Sequence, residues 1–343
     1  MVPAGEMRER PCQYPGMRAA YIEELGPPDA IQYGELAEPR PGPTDVLVDV
    51  LATTVNPVDT FVRSGLFSTP LPFPFVIGRD LVGRVAESGA GVTGFTTGDL
   101  VWCNSLGHEG RQGAAAEKAV VAADRLYHLP EGVDPETAVA VVHPAATAYL
   151  GLFTHGRVRA GQTVLIAGAA GNVGSAMVTL AVWAGARVIA TARQRDAAYV
   201  ASLGAAEVFD YTDPAAYELI RKAAPDGVDA YLDASGTNDL AHSVDLLAHR
   251  GRIVLLAGAR SRPVLPAGQL YMKDGSIAGF VISHATTAEL AEAAEAINHL
   301  LAAGLLRPRE IEVRPLSEAA EVHRRIETVG PHGTRLVLRT PGA

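Results

Sequence analysis

Apolar and polar positions alternate with a period of two through the first third of the chain. The stretches "MRAAYIEE" from Met17 and "DVLVDVLATTV" from Asp45 read as strands separated by Pro and Gly. Further short strands are expected in "FVIGRDLVGRVAESG", "DLVWCN" and "AEKAVVAADRLYHLP", divided by "GAGVTGFTTGD" and by a loop at "SLGHEGRQGA". From His143 the texture changes. "PAATAYLGLF" has helical spacing with Pro144 near its start, and Gly161 punctuates the approach to a strand at Thr163. Strands and helices then alternate: "TVLIA", a helix from about Val173 to Ala184, "RVIATA", a helix around "DAAYVASLG", "EVFDY", "VDAYLDAS", a helix around "DLAHSVDLLAHR", and "RIVLLAG". That alternation predicts a parallel sheet with helical crossovers, hence a doubly wound α/β domain. A last strand, "SIAGFVI", precedes an amphipathic helix from about Thr287 to Ala303, and the tail "GTRLVLR" is expected to return as a strand to the first β region.

The pattern divides the chain into an extension over 1–16, expected to be flexible, a β-rich domain over 17–141 expected to be completed by 283–343, and a doubly wound domain over 142–282. With 343 residues, two cores of ordinary size are affordable. A net charge of -9 offers no basis for gripping polyanions, so nucleic acid is not expected as a partner. Two cysteines, Cys12 and Cys103, make no disulfide framework, and both are expected as reduced thiols of a cytoplasmic protein. Neither a signal-peptide core nor an uninterrupted membrane-spanning run is legible, so no membrane association is expected.

Candidate chemistry begins at "TVLIAGAAGNVGSAM". Its turn fits Ala169-x-Gly171-x-x-Gly174 between a strand and a helix, an Ala-for-Gly variant of the dinucleotide fingerprint. Gly171 lets the backbone approach a pyrophosphate, Gly174 lets the helix pack on the strand, and the amides of Asn172 and Val173 face the anion. The second strand ends "IATARQR", with Ala192 where an NAD-binding protein usually carries an acid for the ribose. Arg193, with Tyr211 beside it, is expected to meet a 2′-phosphate, and NADPH is the expected cofactor. Arg195 reads equally well as a solvated helix-start residue. Ala170, Thr191 and Gly258 complete the expected cofactor contacts.

With these pieces laid out, the chain resembles the medium-chain dehydrogenase/reductases, and within them the zinc-free quinone oxidoreductases related to zeta-crystallin. The carriers are "NPVDTFVRSGLF", "PFVIGRDLVGRVAESGAGVTGFTTGDLV", "QGAAAEKAVV", "PAATAYLGL", "AGAAGNVGSA" and "LGAAEVFDY". The resemblance implies a GroES-like catalytic domain against a Rossmann domain, a cleft between them, and NADPH-dependent reduction of a quinone or an α,β-unsaturated carbonyl. Zinc-dependent relatives place a Cys at Asn56 and a His-Glu pair at Arg79 and Asp80, so no metal is expected. Asn56 matches a family Asn beside the nicotinamide, the alternative being a turn residue before Pro57. Thr147 matches a family Thr in the same place, the alternative being a helix hydroxyl bonded to its own backbone.

Phe61 stands where related bacterial enzymes often have a Tyr, so a phenolic donor is missing, and Ala197 falls near a Lys of relatives. His143 reads as a structural histidine in preference to a proton source. His108 and Glu109 read as solvated loop polarity, "SLGHEGRQG" as a mobile flap over the substrate, and Trp102 as core. "SIAGFVI" corresponds to the edge through which family members pair, so a homodimer is expected. An enoyl or 2-alkenal reductase and a non-catalytic NADPH-binding protein are the competing readings.

Overall fold

The computed structural model describes residues 16–330 and 333–342. Apart from Gly16, the expected extension lies outside the described residues, as does Cys12. The β-rich part runs β1 (Gly16–Ile22), β2 (Gln32–Ala37), β3 (Asp45–Thr54), α1 (Pro57–Ser64), β4 (Phe75–Val76), β5 (Leu81–Ser88), β6 (Leu100–Cys103), β7 (Lys118–Ala122) and β8 (Tyr127–His128). The middle comprises α2 (Pro135–Tyr149), β9 (Thr163–Ala167), α3 (Asn172–Trp183), β10 (Arg187–Ala192), α4 (Ala197–Ser202), β11 (Glu207–Asp210), α5 (Ala216–Ala223), β12 (Val228–Asp233), α6 (Leu240–Leu246), β13 (Leu247–Leu255), α7 (Ala267–Met272) and β14 (Ser276–Gly279). The chain closes with α8 (Thr287–Ala302), β15 (Glu310–Pro315), α9 (Ala319–Thr328) and β16 (Thr334–Arg339).

Six strands form the expected parallel sheet, in the order β11-β10-β9-β12-β13-β14. The first region builds a small β2-β1-β4 sheet and a seven-stranded one ordered β15-β16-β3-β5-β6-β8, with β7 also on β3. The tail does return: β16 lies antiparallel to β3, Val337 facing Thr54.

Local signals explain the departures. α2 begins at Pro135, well before the expected start, because Asp134 accepts the Thr137 N–H at 2.8 Å and Pro135 suits the first helical turn. Pro144 is therefore interior, and the expected 141/142 boundary falls inside one helix. α6 stops at Leu246 because Leu247 already pairs with Val228, so cross-strand pairing overrides the helical spacing of "DLLAHR". α1, α5, β15 and α9 had no counterpart in the sequence pattern as read above.

α2 is apolar all round because it packs on α3, α8 and β3 together. Ala138, Ala140, Ala145, Ala146 and Ala148 are all fully buried on it, and their small side chains let its neighbours approach. Pro135–His155 is long and apolar enough to cross a membrane, yet here it is this central, mostly buried helix.

Where β16 meets β3, a charged network is sealed from solvent. Arg335, 3% exposed, donates to Thr54 Oγ1 at 2.7 Å and to Asn56 Oδ1 at 3.1 Å. Asp80, 0% exposed, receives the Asn56 amide at 3.0 Å and the Thr54 N–H at 3.1 Å, and lies 3.9 Å from the Arg335 guanidinium. Burial raises the Asp80 carboxyl, with Arg335 opposing. Asp59 caps α1 by accepting the Asn56 N–H at 2.7 Å. Burial, and then the adjacent Asp80, push its carboxyl up to about 7.

Removing Arg335 leaves Asp80 buried without its cation. Arg335→Met is expected to cost about 3–5 kcal/mol in denaturant unfolding, and adding Asp80→Asn should recover part of that loss. Strict additivity of the two changes would refute the pairing.

Asp59 sets a pH dependence. Its folded value of about 7 lies above its ordinary 3.8, so between these pH values the folded chain binds more protons than the unfolded one. Stability therefore falls as pH rises through that window. Asp59→Asn keeps an acceptor for the Asn56 N–H and should flatten the fall in melting temperature across the window. An unchanged slope would show that the carboxyl is already ionised in the folded protein.

Candidate functional site

At the end of β9 the chain turns through Gly168, φ +77°, and reaches Gly171, which caps α3 with extended backbone and no side-chain acceptor. The amides of Asn172, Val173 and Gly174 in the first turn of α3 have no partner within the helix, and the positive end of its dipole points the same way. A Cβ on Gly174 would lie 2.2 Å from the Gly168 carbonyl oxygen and 2.8 Å from the Ala169 Cα, so only glycine lets the helix seat on the turn. At Gly171 the one neighbour within reach of a Cβ is the Gly168 oxygen at 3.3 Å, which leaves the remaining approach open. A pyrophosphate fits this cradle. Ala170 lies half-buried on it, and the Thr191 carbonyl accepts the Ala169 N–H at 3.0 Å, tying β10 to the turn.

Ala192 is buried at the end of β10, and the chain then exposes Arg193. The Arg193 Nε donates to the Tyr211 hydroxyl at 2.8 Å, so the two expected phosphate contacts stand together. Among the described residues no carboxylate lies within ion-pair distance of Arg193. Arg195 instead leans on Asp196 at 3.6 Å, and Asp196 is held at 2.7 Å by Arg309. Gly258, φ +84°, follows β13 next to Asn238, whose side-chain amide donates to Ala257 O at 3.1 Å and Ser261 Oγ at 2.6 Å. Asp233 shapes that loop by accepting the N–H groups of Ser235, Gly236 and Asn238. Asp233 and Asn238 were not singled out in the sequence, although an acid at a strand end followed by "ASGTND" is a readable turn signal.

The opposite wall is α2. Thr147 donates to the His143 carbonyl at 3.0 Å, so its proton is committed to the helix while its oxygen remains able to accept. His143 is buried, its Nδ1 3.3 Å from Asn104 O, and burial, then Arg79 and Arg335, hold its ring down to about 3. It is neutral at physiological pH. Both ends of the Asn56 amide are engaged, by Asp80 and Arg335, and its backbone is capped by Asp59. Pro144, Asn172, Ser175 and Arg335 line one narrow cavity, so the glycine turn, α2 and the ionic network face each other. Trp102 is fully buried and donates to Asn298 at 2.9 Å, and Phe61 sits half-buried on α1.

The loop after β6 corrects two expectations. His108 is 5% exposed, whereas only Glu109 reaches solvent. The loop is also tied down and not a free flap: Leu106 N–H donates to Arg79 O, Gly110 N–H to Pro70 O and Gly113 N–H to Val76 O. Its glycines permit the sharp turns that swing His108 inward, which a reading of loop polarity does not reveal. Ala197 opens α4 with no cation at that position, as expected from the sequence.

Comparison with known proteins agrees with this architecture. Residues 42–131 match the family described as alcohol dehydrogenase GroES-like domain, and residues 172–299 match that described as zinc-binding dehydrogenase. A quinone oxidoreductase of Mus musculus is 32% identical over 312 residues, covering 90% of this chain and 93% of that one. A solved mycobacterial protein in complex with NADPH superposes with a TM-score of 0.80 at 28% identity, covering 94% and 99%. A solved NAD-dependent alcohol dehydrogenase does so with a TM-score of 0.84 at 31% identity, covering 95% and 100%. The chain is an oxidoreductase, with a GroES-like region and a Rossmann sheet that fits a nicotinamide dinucleotide, and it belongs to the zinc-free quinone oxidoreductase family of the medium-chain dehydrogenase/reductases.

Proposed function

We propose that this protein is an NADPH-dependent reductase of quinones or related conjugated carbonyl compounds that works without zinc. The observation that carries the cofactor choice is the Arg193–Tyr211 pair standing after Ala192, where a ribose-binding acid would repel a 2′-phosphate. When bound, the nicotinamide supplies a hydride. The uncapped start of α3 holds the pyrophosphate, the Asp233–Asn238 loop beside Gly258 borders the cleft, and α2 presents the Thr147 oxygen. Asn56 and Arg79 occupy positions where zinc relatives bind metal, and both are held by hydrogen bonds to protein groups. An electron-poor acceptor needs positioning more than Lewis-acid activation, which favours reduction.

The expected homodimer has support in the edge of the parallel sheet. Among the described residues β14 pairs only with β13, and Val264, Tyr271 and Met272, which precede it in the chain, are 86%, 79% and 75% exposed. A second copy of this edge would cover that apolar surface.

Chelator-treated protein should oxidise NADPH with a benzoquinone or a simple enone, and loss of activity on chelation would overturn the zinc-free reading. Turnover of the enone alone would move the assignment to alkene reduction. Arg193→Ala is expected to raise KM for NADPH roughly tenfold or more while leaving KM for NADH unchanged, since only the former carries the 2′-phosphate. Equal effects on both cofactors would remove Arg193 from phosphate recognition. Tyr271→Glu with Met272→Asp should convert a dimer to a monomer by light scattering, and a wild-type monomer would rule the edge contact out.

A further inference from the structure

Arg79 Nε and His108 Nε2 are buried and have no hydrogen-bond partner among the described residues. Arg79 is 2% exposed; its two terminal nitrogens reach Leu106 O at 3.4 Å and the Ser283 hydroxyl, while Nε has no partner. The Thr69 hydroxyl accepts the Glu109 N–H at 3.0 Å and lies 3.0 Å from His108 Nδ1; with Thr69 as the donor in that second contact, the ring proton of His108 stands on Nε2, which is buried and has no hydrogen-bond partner among the described residues. Leaving two such donors unpaired is costly unless an acceptor from outside completes them.

The two groups are neighbours, since the charge of Arg79 acts on the His108 ring. Leu106 is bonded to Arg79 through both backbone and side chain, which places His108, two residues on, beside the guanidinium. Ser283 on the other side brings His284, whose ring centre is 6.3 Å from that of His108. Phe67 lies 5.6 Å from His108 and 5.7 Å from His284, so three flat rings border the space. His284 is exposed and marks the mouth. The charges around it are Asp59 and Asp80 behind Arg79, with Arg111 and Glu109 at the rim; Glu109 Oε1, the nearest carboxylate to His108 Nε2, is 3.8 Å away and also faces Arg111. The walls suit a planar conjugated molecule and the two donors suit an oxygen.

We propose that the unpaired Nε–H of Arg79 and Nε2–H of His108 form an oxyanion site that holds the carbonyl oxygen of a planar conjugated acceptor as negative charge develops on it. The inference rests on the reductase reading above. Addition of a hydride to the acceptor forms one C–H or O–H bond and shifts the conjugated π pair so that a full charge rests on the carbonyl oxygen. Reduced nicotinamide, when bound, would supply both electrons with the hydride, and water would supply the single proton that completes the reduction. A guanidinium fixed in a dry site stabilises that charge with little reorganisation.

The test uses 4-nitrophenol, whose phenolate resembles the charged product and has its own visible absorption band. The wild-type protein should bind the phenolate in preference to the phenol, seen as growth of that band at a pH below the phenol's own pKa. Arg79→Gln and His108→Gln should each weaken phenolate binding roughly 10- to 100-fold, with Arg79→Lys between. NADPH affinity, followed by its fluorescence, should stay unchanged in all three. If Arg79→Gln fails to fold, His108→Gln carries the test, because the polar side-chain contacts of His108 are to the loop residues Thr69 and Glu109. Binding of the neutral phenol, or equal phenolate binding by the wild type and both Gln variants, would overturn the proposal. Ionisation of the probe without any NADPH turnover would keep the oxyanion site and sink the reductase reading. Full quinone turnover by both Gln variants would do the reverse.

Discussion

Arg335 inside the protein is the constraint on which the rest of the structure depends. A guanidinium this far from water needs anions and acceptors at fixed distances, and it finds them in Asp80, Thr54 and Asn56. Those partners come from β3, from the turn before β5 and from the residue that caps α1, while Arg335 itself rides on the last strand. The need to satisfy one charge therefore closes the two ends of the chain into one sheet. It also builds a rigid floor beneath the cleft, since Asn56 cannot turn away without stranding both Asp80 and Arg335.

The floor and the cofactor cradle use electrostatics in opposite ways. In the network, Asp80, Asn56 and Thr54 are bonded to one another and to one terminal nitrogen of Arg335, and His143 beside it is kept neutral by burial and by two neighbouring arginines. At the start of α3 the donors are left unconsumed, because the capping residue is glycine and brings no side-chain acceptor. Binding capacity for an anion arises where the protein withholds its own partners. The same logic separates Arg193, which meets only a tyrosine hydroxyl, from Arg195 and Arg309, which share Asp196. Of these three, Arg193 is the one with no carboxylate within ion-pair distance among the described residues.

Much of this was legible in the residues. The strand-turn-helix at Thr163 and the parallel alternation after it follow from local periodicity and short-range spacing, whereas the hydrogen bond between Arg193 and Tyr211 arises because β10 and β11 are neighbours in the sheet. The family resemblance rested on spaced motifs and extended over most of the chain. Elements whose signal lies in tertiary packing were missed. α9 buries Val322, His323 and Ile326 against other segments, and β15 is a strand because β16 offers it a parallel partner.

The sequence by itself determined the doubly wound alternation and the glycine cradle, since both are written in local periodicity and short-range spacing. Only the tertiary structure decided that Asn56 is locked between Asp80 and Arg335, that His108 faces inward, and that Arg79 keeps an unpaired N–H beside it. Those facts turn on groups up to 281 positions apart, as Thr54 and Arg335 are. A side chain's charge and hydrogen-bonding capacity are written in its own residue, but whether that capacity is spent or left over is a property of its neighbours in space.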